Sequence, residues 1–217
     1  MPAKKKSAPA GQQPLSLPLW VWSDENHGKP GESGKKNCCF NHLVGLPEKG
    51  GIAMPMFDYE KRVFAALKRK SEEGKKDKHG WVKKATGLGI TEFALRYMAW
   101  LCHTRDYRGA QMSIVTGSNK ELANGLISRL TEIWRQIKVL KTKEAVAVLN
   151  GCRVEAFPPH HLDAMRALSR PVFILLDEAD FFPKNDQDNA RIVAERYIAK
   201  SDPYILMVST PNYFGGL

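Results

Sequence analysis

A chain of 217 residues that is 43% hydrophobic and 26% charged can bury the core of one α/β domain with extensions, but not two domains of ordinary size. Its 33 Lys and Arg residues against 23 Asp and Glu residues give a formal charge of +10, which favours nucleic acid as a partner over a merely solubilising basic surface. No apolar segment approaches the roughly 20 residues that span a bilayer, and no signal peptide follows Lys4 to Lys6, so we predict a cytoplasmic protein without membrane contact.

The composition of the N-terminal quarter of the chain indicates that this segment contributes no hydrophobic core. Residues 1–18 are rich in Lys, Ala, Pro, Gln and Ser, which predicts a disordered basic tail. Residues 19–56 mix aromatic residues with many Gly, Pro and Lys residues, which predicts an irregular extension. Within it, Cys38, Cys39 and His42 lie close together, but adjacent cysteines are poorly placed as joint zinc ligands. We therefore favour ordinary packing over a metal site there.

From Asp58 onward, the pattern predicts alternating helices and strands. Apolar residues at helical spacing predict helices from Asp58 to about Gly74, over Glu92 to Cys102, from Leu122 towards Ile137, and around Arg191 to Lys200. Short apolar runs predict strands over Trp81 to Ala85, Gln111 to Thr116, Phe173 to Asp177 and Tyr204 to Ser209. Asn150 and Gly151, between Val146 to Leu149 and Cys152 to Phe157, predict a β-hairpin.

This alternation predicts one α/β domain over residues 57–217, a parallel sheet with helices on both faces. Ligands of such sheets bind beyond the carboxyl ends of the strands. The turn at residues 86–91, the pair Asp177 and Glu178, and Thr210 all follow predicted strands. We therefore expect them to meet at one edge of the sheet.

The strand that starts at Phe173 ends in the acidic sequence Asp177-Glu178-Ala179-Asp180. One carboxylate at such a position can hold hydrated magnesium while its neighbour orients and polarises an attacking water. The stretch therefore predicts Mg²⁺-dependent ATP hydrolysis, with Asp177 on the metal side and Glu178 as the base. The alternative is a core strand followed by an acidic loop, and Asp180 is predicted to be structural.

The turn KKATGLGIT, Lys83 to Thr91, departs from the usual phosphate loop G-x-x-x-x-G-K-S/T, because Ile90 occupies the lysine position. An uncharged Ile cannot neutralise phosphate, so the cation must come from Lys84, or else from Lys83. The alternative is an ordinary Gly-rich turn, in which Lys84 is a surface charge and Thr91 caps a helix. Thr210 and Asn212 either sense the terminal phosphate or make the turn that Pro211 favours.

Read as K-x-x-x-x-G-x-S/T, Lys84 to Thr91 resembles the deviant Walker A loop of viral terminase large subunits, the motors that pump DNA into procapsids. LLDEAD resembles their Walker B motif with its catalytic Glu, and the Asn-Gly hairpin is similar to one that these ATPases carry. STPN, Ser209 to Asn212, resembles their coupling motif. MFDYE, Met56 to Glu60, looks like their adenine-recognition segment, with Glu60 where the family more often has Gln.

The resemblance implies a RecA-like P-loop fold of the ASCE class, ATP and Mg²⁺ as cofactors, and a set of site residues. Catalysis is assigned to Glu178, Asp177 and Lys84, with Arg166 as an arginine finger acting on a neighbouring subunit and Arg170 as its alternative. Mg²⁺ is assigned to Thr91 and Asp177. Some relatives carry an arginine where this chain has Gly87, so that role would have to move. The residues assigned to nucleotide binding are Lys84, Thr86, Gly87, Leu88, Gly89, Ile90, Thr91, Tyr59, Glu60, Thr210 and Asn212.

The implied function is ATP hydrolysis that powers translocation of double-stranded viral DNA into a procapsid. The implied partners are DNA, further copies in a homo-oligomeric ring on a portal and, as a further candidate, a small terminase subunit, all in the host cytoplasm. The sequence stops before any RNase H-like nuclease, so we expect an ATPase without nuclease activity.

Two alternatives remain open. A DEAD-type helicase fragment fits the acidic motif, but the lysine is displaced and no second RecA-like domain follows. A nucleotide- or DNA-binding module without hydrolysis fits Ile90.

Overall fold

The computed structural model describes residues 48–49, 52–53, 57–72, 78–102, 107, 109–117, 120–133, 141–149, 151–183 and 186–211. The predictions for the tail, the cluster of Cys38, Cys39 and His42, and residues Asn150 and Asn212 lie outside this part. Of the extension over 19–56, the described residues form two short strands, β1 (Glu48–Lys49) and β2 (Ile52–Ala53), which pair antiparallel.

The centre of the domain is a sheet of seven strands. They are β3 (His79–Lys83), β4 (Gln111–Thr116), β5 (Lys141–Lys143), β6 (Val146–Leu149), β7 (Cys152–Phe157), β8 (Pro171–Asp177) and β9 (Tyr204–Ser209). Their order is β3-β9-β8-β4-β7-β6-β5; the first five run parallel, β6 is antiparallel to β7, and β5 is antiparallel to β6. The predicted parallel sheet is confirmed.

Helices cover both faces of this sheet, as predicted. They are α1 (Asp58–Glu72), α2 (Ile90–Leu101), α3 (Lys120–Ile133), α4 (Leu162–Met165) and α5 (Asp186–Glu195), with short 3-10 turns at Pro159–His161 and Ala179–Phe181. The first three pack over a core that contains Phe64, Tyr97 and Trp100, and the last two over a core that contains Met165 and Val193. None of the helices in the described ranges has the length and apolarity needed to cross a membrane.

The β-hairpin is confirmed and is larger than predicted. Strands β6 and β7 pair from Leu149 with Cys152, and Gly151 has a φ of 80°, in the left-handed region that glycine tolerates. Strand β5 adds a third antiparallel member beside β6. Its sequence is Lys-Thr-Lys, so it carries no apolar run that a search for strands could detect.

The helix predicted over Arg191 to Lys200 was misplaced, because α5 begins at Asp186 and ends at Glu195. Asp186 and Asp188 lie in its first turn, where negative charge interacts favourably with the helix dipole. After the helix, the carbonyl of Tyr197 accepts hydrogen bonds from the backbone N–H groups of residues 200, 201 and 202. The apolar residues after Glu195 therefore lie in a closed turn. Their spacing resembles that of a helix, which explains the wrong prediction.

Candidate active site

Lys84 lies at the centre of the predicted edge of the sheet. Its side chain is 7% exposed, and its Nζ donates to Glu178 Oε1 at 2.5 Å and to Thr210 Oγ1 at 3.2 Å. Its backbone N–H donates to the carbonyl of Ser209 at 3.0 Å. The alternative of a surface charge is therefore wrong, because this lysine is buried against the acidic strand.

Glu178 is held in an uncommon backbone conformation directly after β8. Its φ of 52° and ψ of 46° lie in the left-handed region, which costs a residue with a Cβ roughly 1 kcal/mol or more. Both carboxylate oxygens have donors, since Oε1 accepts from Lys84 and Oε2 accepts from the Thr210 backbone N–H at 3.0 Å. The carboxylate is thereby turned towards the loop after β3, which an acidic surface loop would not require.

Asp177 is buried, at 5% exposure, at the end of β8. Its Oδ1 accepts a hydrogen bond from Thr91 Oγ1 at 2.7 Å, and its Oδ2 accepts a longer one from Thr116 Oγ1 at 3.4 Å. Burial raises the pKa of the Asp177 carboxyl, and the Thr91 hydrogen bond opposes this increase. A buried carboxylate that costs free energy to ionise gains most from a nearby cation.

The loop between β3 and α2 contains two glycines in the left-handed region and leads directly into the N-terminus of α2. Gly87 and Gly89 have φ values of 82° and 72°, and a Cβ at either position would meet no atom within 4 Å. These glycines are therefore required by the backbone conformation and not by crowding. Gly89 is the N-cap of α2, so the free N–H groups of its first turn are available to phosphate, as at other helix N-termini.

Two loop residues have roles that the sequence left open. Thr91 lies inside α2 and donates to Asp177, so its alternative role as the N-cap is wrong. Ile90, at the position of the usual lysine, is 2% exposed and packs in the core. Only its backbone can serve a nucleotide, which explains why an apolar residue is tolerated there. Thr86 and Leu88 are exposed on the loop.

A cleft of about 550 Å³ lies beside these residues. It is lined by Thr86, Thr91, Thr116, Gly117, Leu122, Leu126, Arg129, Asp177, Glu178, Phe181 and Thr210. Sequence reasoning missed Thr116 and Arg129. Thr116 ends β4, which pairs with β8, so the strand-end rule finds it once the strand order is known. Arg129 lies well inside a helix, where no local pattern marks it.

Tyr59 and Glu60 lie in the first turn of α1, close to the loop. The Tyr59 hydroxyl donates to the carbonyl of Leu88 at 2.5 Å, which fastens the helix to the loop. Glu60 Oε2 accepts from the Phe57 backbone N–H at 2.8 Å and so caps the helix. Burial raises the pKa of the Glu60 carboxyl. Their contact with adenine stays a prediction.

Arg166 is separated from the cleft of its own subunit. It follows α4, is half exposed and pairs with Asp163 at 3.2 Å. It does not line the cleft, and neither does its alternative Arg170, which is exposed. Action on a neighbouring subunit stays a prediction for both. Asp180 accepts from Gln187 at 3.2 Å, and its N–H donates to Ser209 Oγ at 3.0 Å, consistent with its predicted structural role.

The donor set fits magnesium. Thr91 offers a hydroxyl oxygen and Asp177 a carboxylate oxygen, which are the ligand types that this ion takes in nucleotide sites. Their 2.7 Å hydrogen bond shows that the two oxygens converge. The loop, the helix N-terminus and this oxygen pair are thus groups of the kinds that a magnesium nucleotide requires.

No family model and no curated protein matches the chain. Among solved structures, the large terminase ATPase domain of Thermus phage P74-26 is 16% identical with a TM-score of 0.52, over 71% of this chain and 70% of that one. The HK97 bacteriophage large terminase is 13% identical with a TM-score of 0.56, over 74% of this chain and 34% of that one.

The comparison also finds S. cerevisiae Dbp5, in a structure with Nup159, Gle1, IP6 and ADP. It is 16% identical with a TM-score of 0.52, over 74% of this chain and 44% of that one. This chain thus spans about a third of the HK97 protein and less than half of Dbp5. At such identities the likeness is one of fold. The chain has the P-loop ATPase fold that phage large-terminase ATPase domains share.

Proposed function

We propose that this protein is a magnesium-dependent ATPase. The observation that carries the proposal is the contact of Lys84 with Glu178 and Thr210, directly beside the bonded pair Thr91 and Asp177. These residues come from three separate segments of the chain, and they supply a phosphate-binding cation, a base and a metal-binding oxygen pair. The fold shared with terminase ATPase domains supports the same activity.

Lys84 takes the part of the missing loop lysine. Its ammonium lies between Glu178 Oε1 and Thr210 Oγ1, and a phosphate that enters the cleft competes with Glu178 for it. Transfer of Lys84 to the phosphate frees one carboxylate oxygen of Glu178. That oxygen can then orient a water and accept its proton. Binding of the substrate phosphate therefore also frees Glu178 to act as the base.

Thr91 and Asp177 hold the metal. When bound, Mg²⁺ neutralises phosphate charge and orients the phosphates. Asp177 serves it only when ionised, and burial raises the pKa of this carboxyl, so the site loses metal affinity on acidification sooner than one with an exposed Asp. The first-turn N–H groups of α2 stabilise the phosphates from the other side.

The finer proposal is that ATP hydrolysis drives double-stranded DNA into a procapsid. It rests on the resemblance of the motifs to those of terminases and on the formal charge of +10, which favours a polyanion. The homo-oligomeric ring on a portal, the small terminase subunit and the host cytoplasm belong to the same proposal. In it, the exposed Arg166 or Arg170 completes the cleft of a neighbouring subunit.

A helicase fragment is the second candidate, because Dbp5 matches the fold with the same TM-score as the P74-26 domain. The displaced lysine favours the terminase assignment. The two differ in what ATP hydrolysis does to DNA. Stimulation of hydrolysis by intact duplexes, without strand separation, supports packaging, whereas unwinding of a tailed duplex supports the helicase.

The central experiment compares phosphate release by the wild type and the Glu178→Gln variant, with Mg²⁺, with and without duplex DNA. Removal of a positioned base typically costs 10²- to 10⁴-fold, so turnover of Glu178→Gln should fall by at least ~100-fold while nucleotide binding persists. Glu195→Gln is the control, since Glu195 lies on α5 and pairs with Arg191. Unchanged turnover in Glu178→Gln would sink the proposal.

Absence of phosphate release from a wild type that still binds nucleotide, even on DNA at high protein concentration, would instead favour a module that binds without hydrolysis.

A further inference from the structure

Arg129 places a positive charge on the wall of the cleft, in addition to that of Lys84 beside the cleft. Among the described residues that line the cleft it is the only positively charged one, and it shares the lining with the carboxylates of Asp177 and Glu178. Leu122, Leu126 and Arg129 are spaced four and three residues apart, so they form one face of α3 that makes a wall of the cleft. The side chain of Arg129 therefore borders the cleft from the same face of α3 as Leu122 and Leu126.

Glu92 fixes the position of this guanidinium. The terminal NH2 of Arg129 donates to Glu92 Oε2 at 2.9 Å, and Glu92 Oε1 accepts from Arg96 Nε at 2.9 Å. Glu92 directly follows Thr91, so the contact holds the charge of Arg129 beside the metal-binding pair. A guanidinium has five N–H donors, and Arg129 therefore retains donors for a further anion. Its side chain is about half exposed and therefore accessible to a ligand.

The site has little uncompensated positive charge with which to bind a triphosphate. Lys84 is neutralised by Glu178 until a phosphate takes it over, and Ile90 and Gly87 provide no side-chain cation on the loop. A triphosphate brings about four negative charges, of which magnesium neutralises two. Arg129 offers the positive charge that the loop lacks, and it does so from a different element.

We propose that Arg129 binds the terminal phosphate of the nucleoside triphosphate within its own subunit, and that Glu92 holds it in place beforehand. The inference rests on the proposed ATPase function and deepens it. The planar guanidinium matches phosphate oxygens in a bidentate arrangement, which gives both geometry and charge. Glu178 lines the same cleft, so a phosphate bound by Arg129 would share one cavity with the Glu178 carboxylate.

The test measures equilibrium binding of two probes, a non-hydrolysable ATP analogue and ADP, each with Mg²⁺. Because a charge-assisted contact to the terminal phosphate is lost, Arg129→Gln should weaken binding of the analogue by roughly 10- to 100-fold and change ADP binding by less than about 3-fold. Glu92→Gln keeps a side-chain oxygen that can accept the hydrogen bond from Arg129 and so can still position the guanidinium, but it removes the negative charge that competes with phosphate; the preference for the analogue should therefore be kept or increased.

Arg153→Gln is the matched control, because it removes the same charge from an exposed residue on β7 that pairs with Glu155. If Arg129→Gln proves unfolded by circular dichroism, Arg129→Met provides the test, since Met keeps an unbranched apolar stem. Unchanged analogue binding, or an equal loss in Arg129→Gln and Glu92→Gln for both probes, overturns the inference, because the pair then only joins α2 to α3. If the wild type binds neither probe, the ATPase proposal fails as well.

Discussion

The side chain of Lys84 is almost fully buried, whereas that of its partner Glu178 remains one-third exposed, at 33%. Their Nζ to Oε1 contact of 2.5 Å compensates the lysine charge, and Thr210 supplies a second partner. A buried charge that has a single carboxylate partner is expensive to leave alone. The ion pair therefore holds both side chains in place until a more highly charged anion, such as a phosphate, replaces the carboxylate at Lys84.

We expect Lys84→Met to weaken Mg-ATP binding by about 10- to 100-fold and to abolish measurable turnover, because the charge-assisted contact to phosphate is lost. Isothermal titration and phosphate release measure the two effects. The control is Lys83→Met, the exposed neighbour on β3. If Lys83→Met weakens binding and Lys84→Met does not, the cation has been assigned to the wrong lysine.

The second prediction concerns pH. Burial raises the pKa of Asp177 in the folded protein above its value in the unfolded chain, so this group stabilises the folded state at low pH, and that contribution is lost as the pH rises through the folded pKa. Asp177→Asn should therefore be at least as stable as the wild type at neutral pH in the absence of nucleotide. The difference should shrink on acidification. Turnover of the variant should fall by roughly 100-fold or more, because the carboxylate is lost.

Thermal melts of both proteins across the acidic range measure the stability difference, and phosphate release measures the turnover. A variant that is clearly less stable than the wild type at neutral pH would show that the hydrogen bonds of Asp177 outweigh the cost of burying its charge.

At the scale of elements, Gly117 at the junction between β4 and α3 is closely packed against Leu122 in the cleft wall. Gly117 has a φ of 58°, and a Cβ there would lie 2.2 Å from Leu122 Cδ1. We expect Gly117→Ala to lower the free energy of unfolding by about 1 to 3 kcal/mol through backbone strain, with a further cost from the clash. Chemical denaturation measures it.

Gly125→Ala is the matched control, because Gly125 lies inside α3 and a Cβ added there would meet no atom within 4 Å. In a helix interior Ala is favoured over Gly by roughly 0.5 to 1 kcal/mol, so this variant should be more stable than the wild type. Equal effects of the two substitutions would contradict the assigned role of the junction.

The sequence correctly predicts the elements whose apolar spacing is clear. Prediction fails where packing against other elements determines the bounds of a helix or strand. The bounds of β4, β6, β7 and β9 agree with prediction because each is a short apolar run between polar turns. Strand β5 has no such run, and α5 was misplaced because the closed turn around Tyr197 continues its periodicity.

The residues of the site also fall into those that the sequence predicts and those that it does not. Lys84, Asp177, Glu178 and Thr210 follow strands, so the rule for parallel sheets brings them together before the strand order is known. Arg129 reaches the cleft only because α3 packs beside α2 and its long side chain extends to Glu92. Such a contact depends on helix packing and on side-chain conformation, for which a single sequence carries no periodic signal.

At the scale of the whole molecule, the site joins segments that are far apart in the chain, so its ligand should stabilise the entire fold. At a concentration of 100 times the dissociation constant, a ligand specific for the folded state adds ~2.7 kcal/mol, which corresponds to a melting temperature higher by roughly 5 to 10 °C. We expect Mg-ATP to produce this shift in a thermal melt. Chelation of Mg²⁺ should remove most of it, and a shift that persists in full without the metal would contradict the assignment of Thr91 and Asp177.

The hydrogen bond that orients Glu178 from β9 has a consequence for how the site tolerates mutation. The donor is the backbone N–H of residue 210, whereas the hydroxyl of the same residue accepts from Lys84. A change of side chain at this position can take a partner from the lysine, but only proline removes the donor from the glutamate. The orientation of the Glu178 carboxylate is therefore set by the path of the main chain, and most substitutions at residue 210 should leave it unchanged.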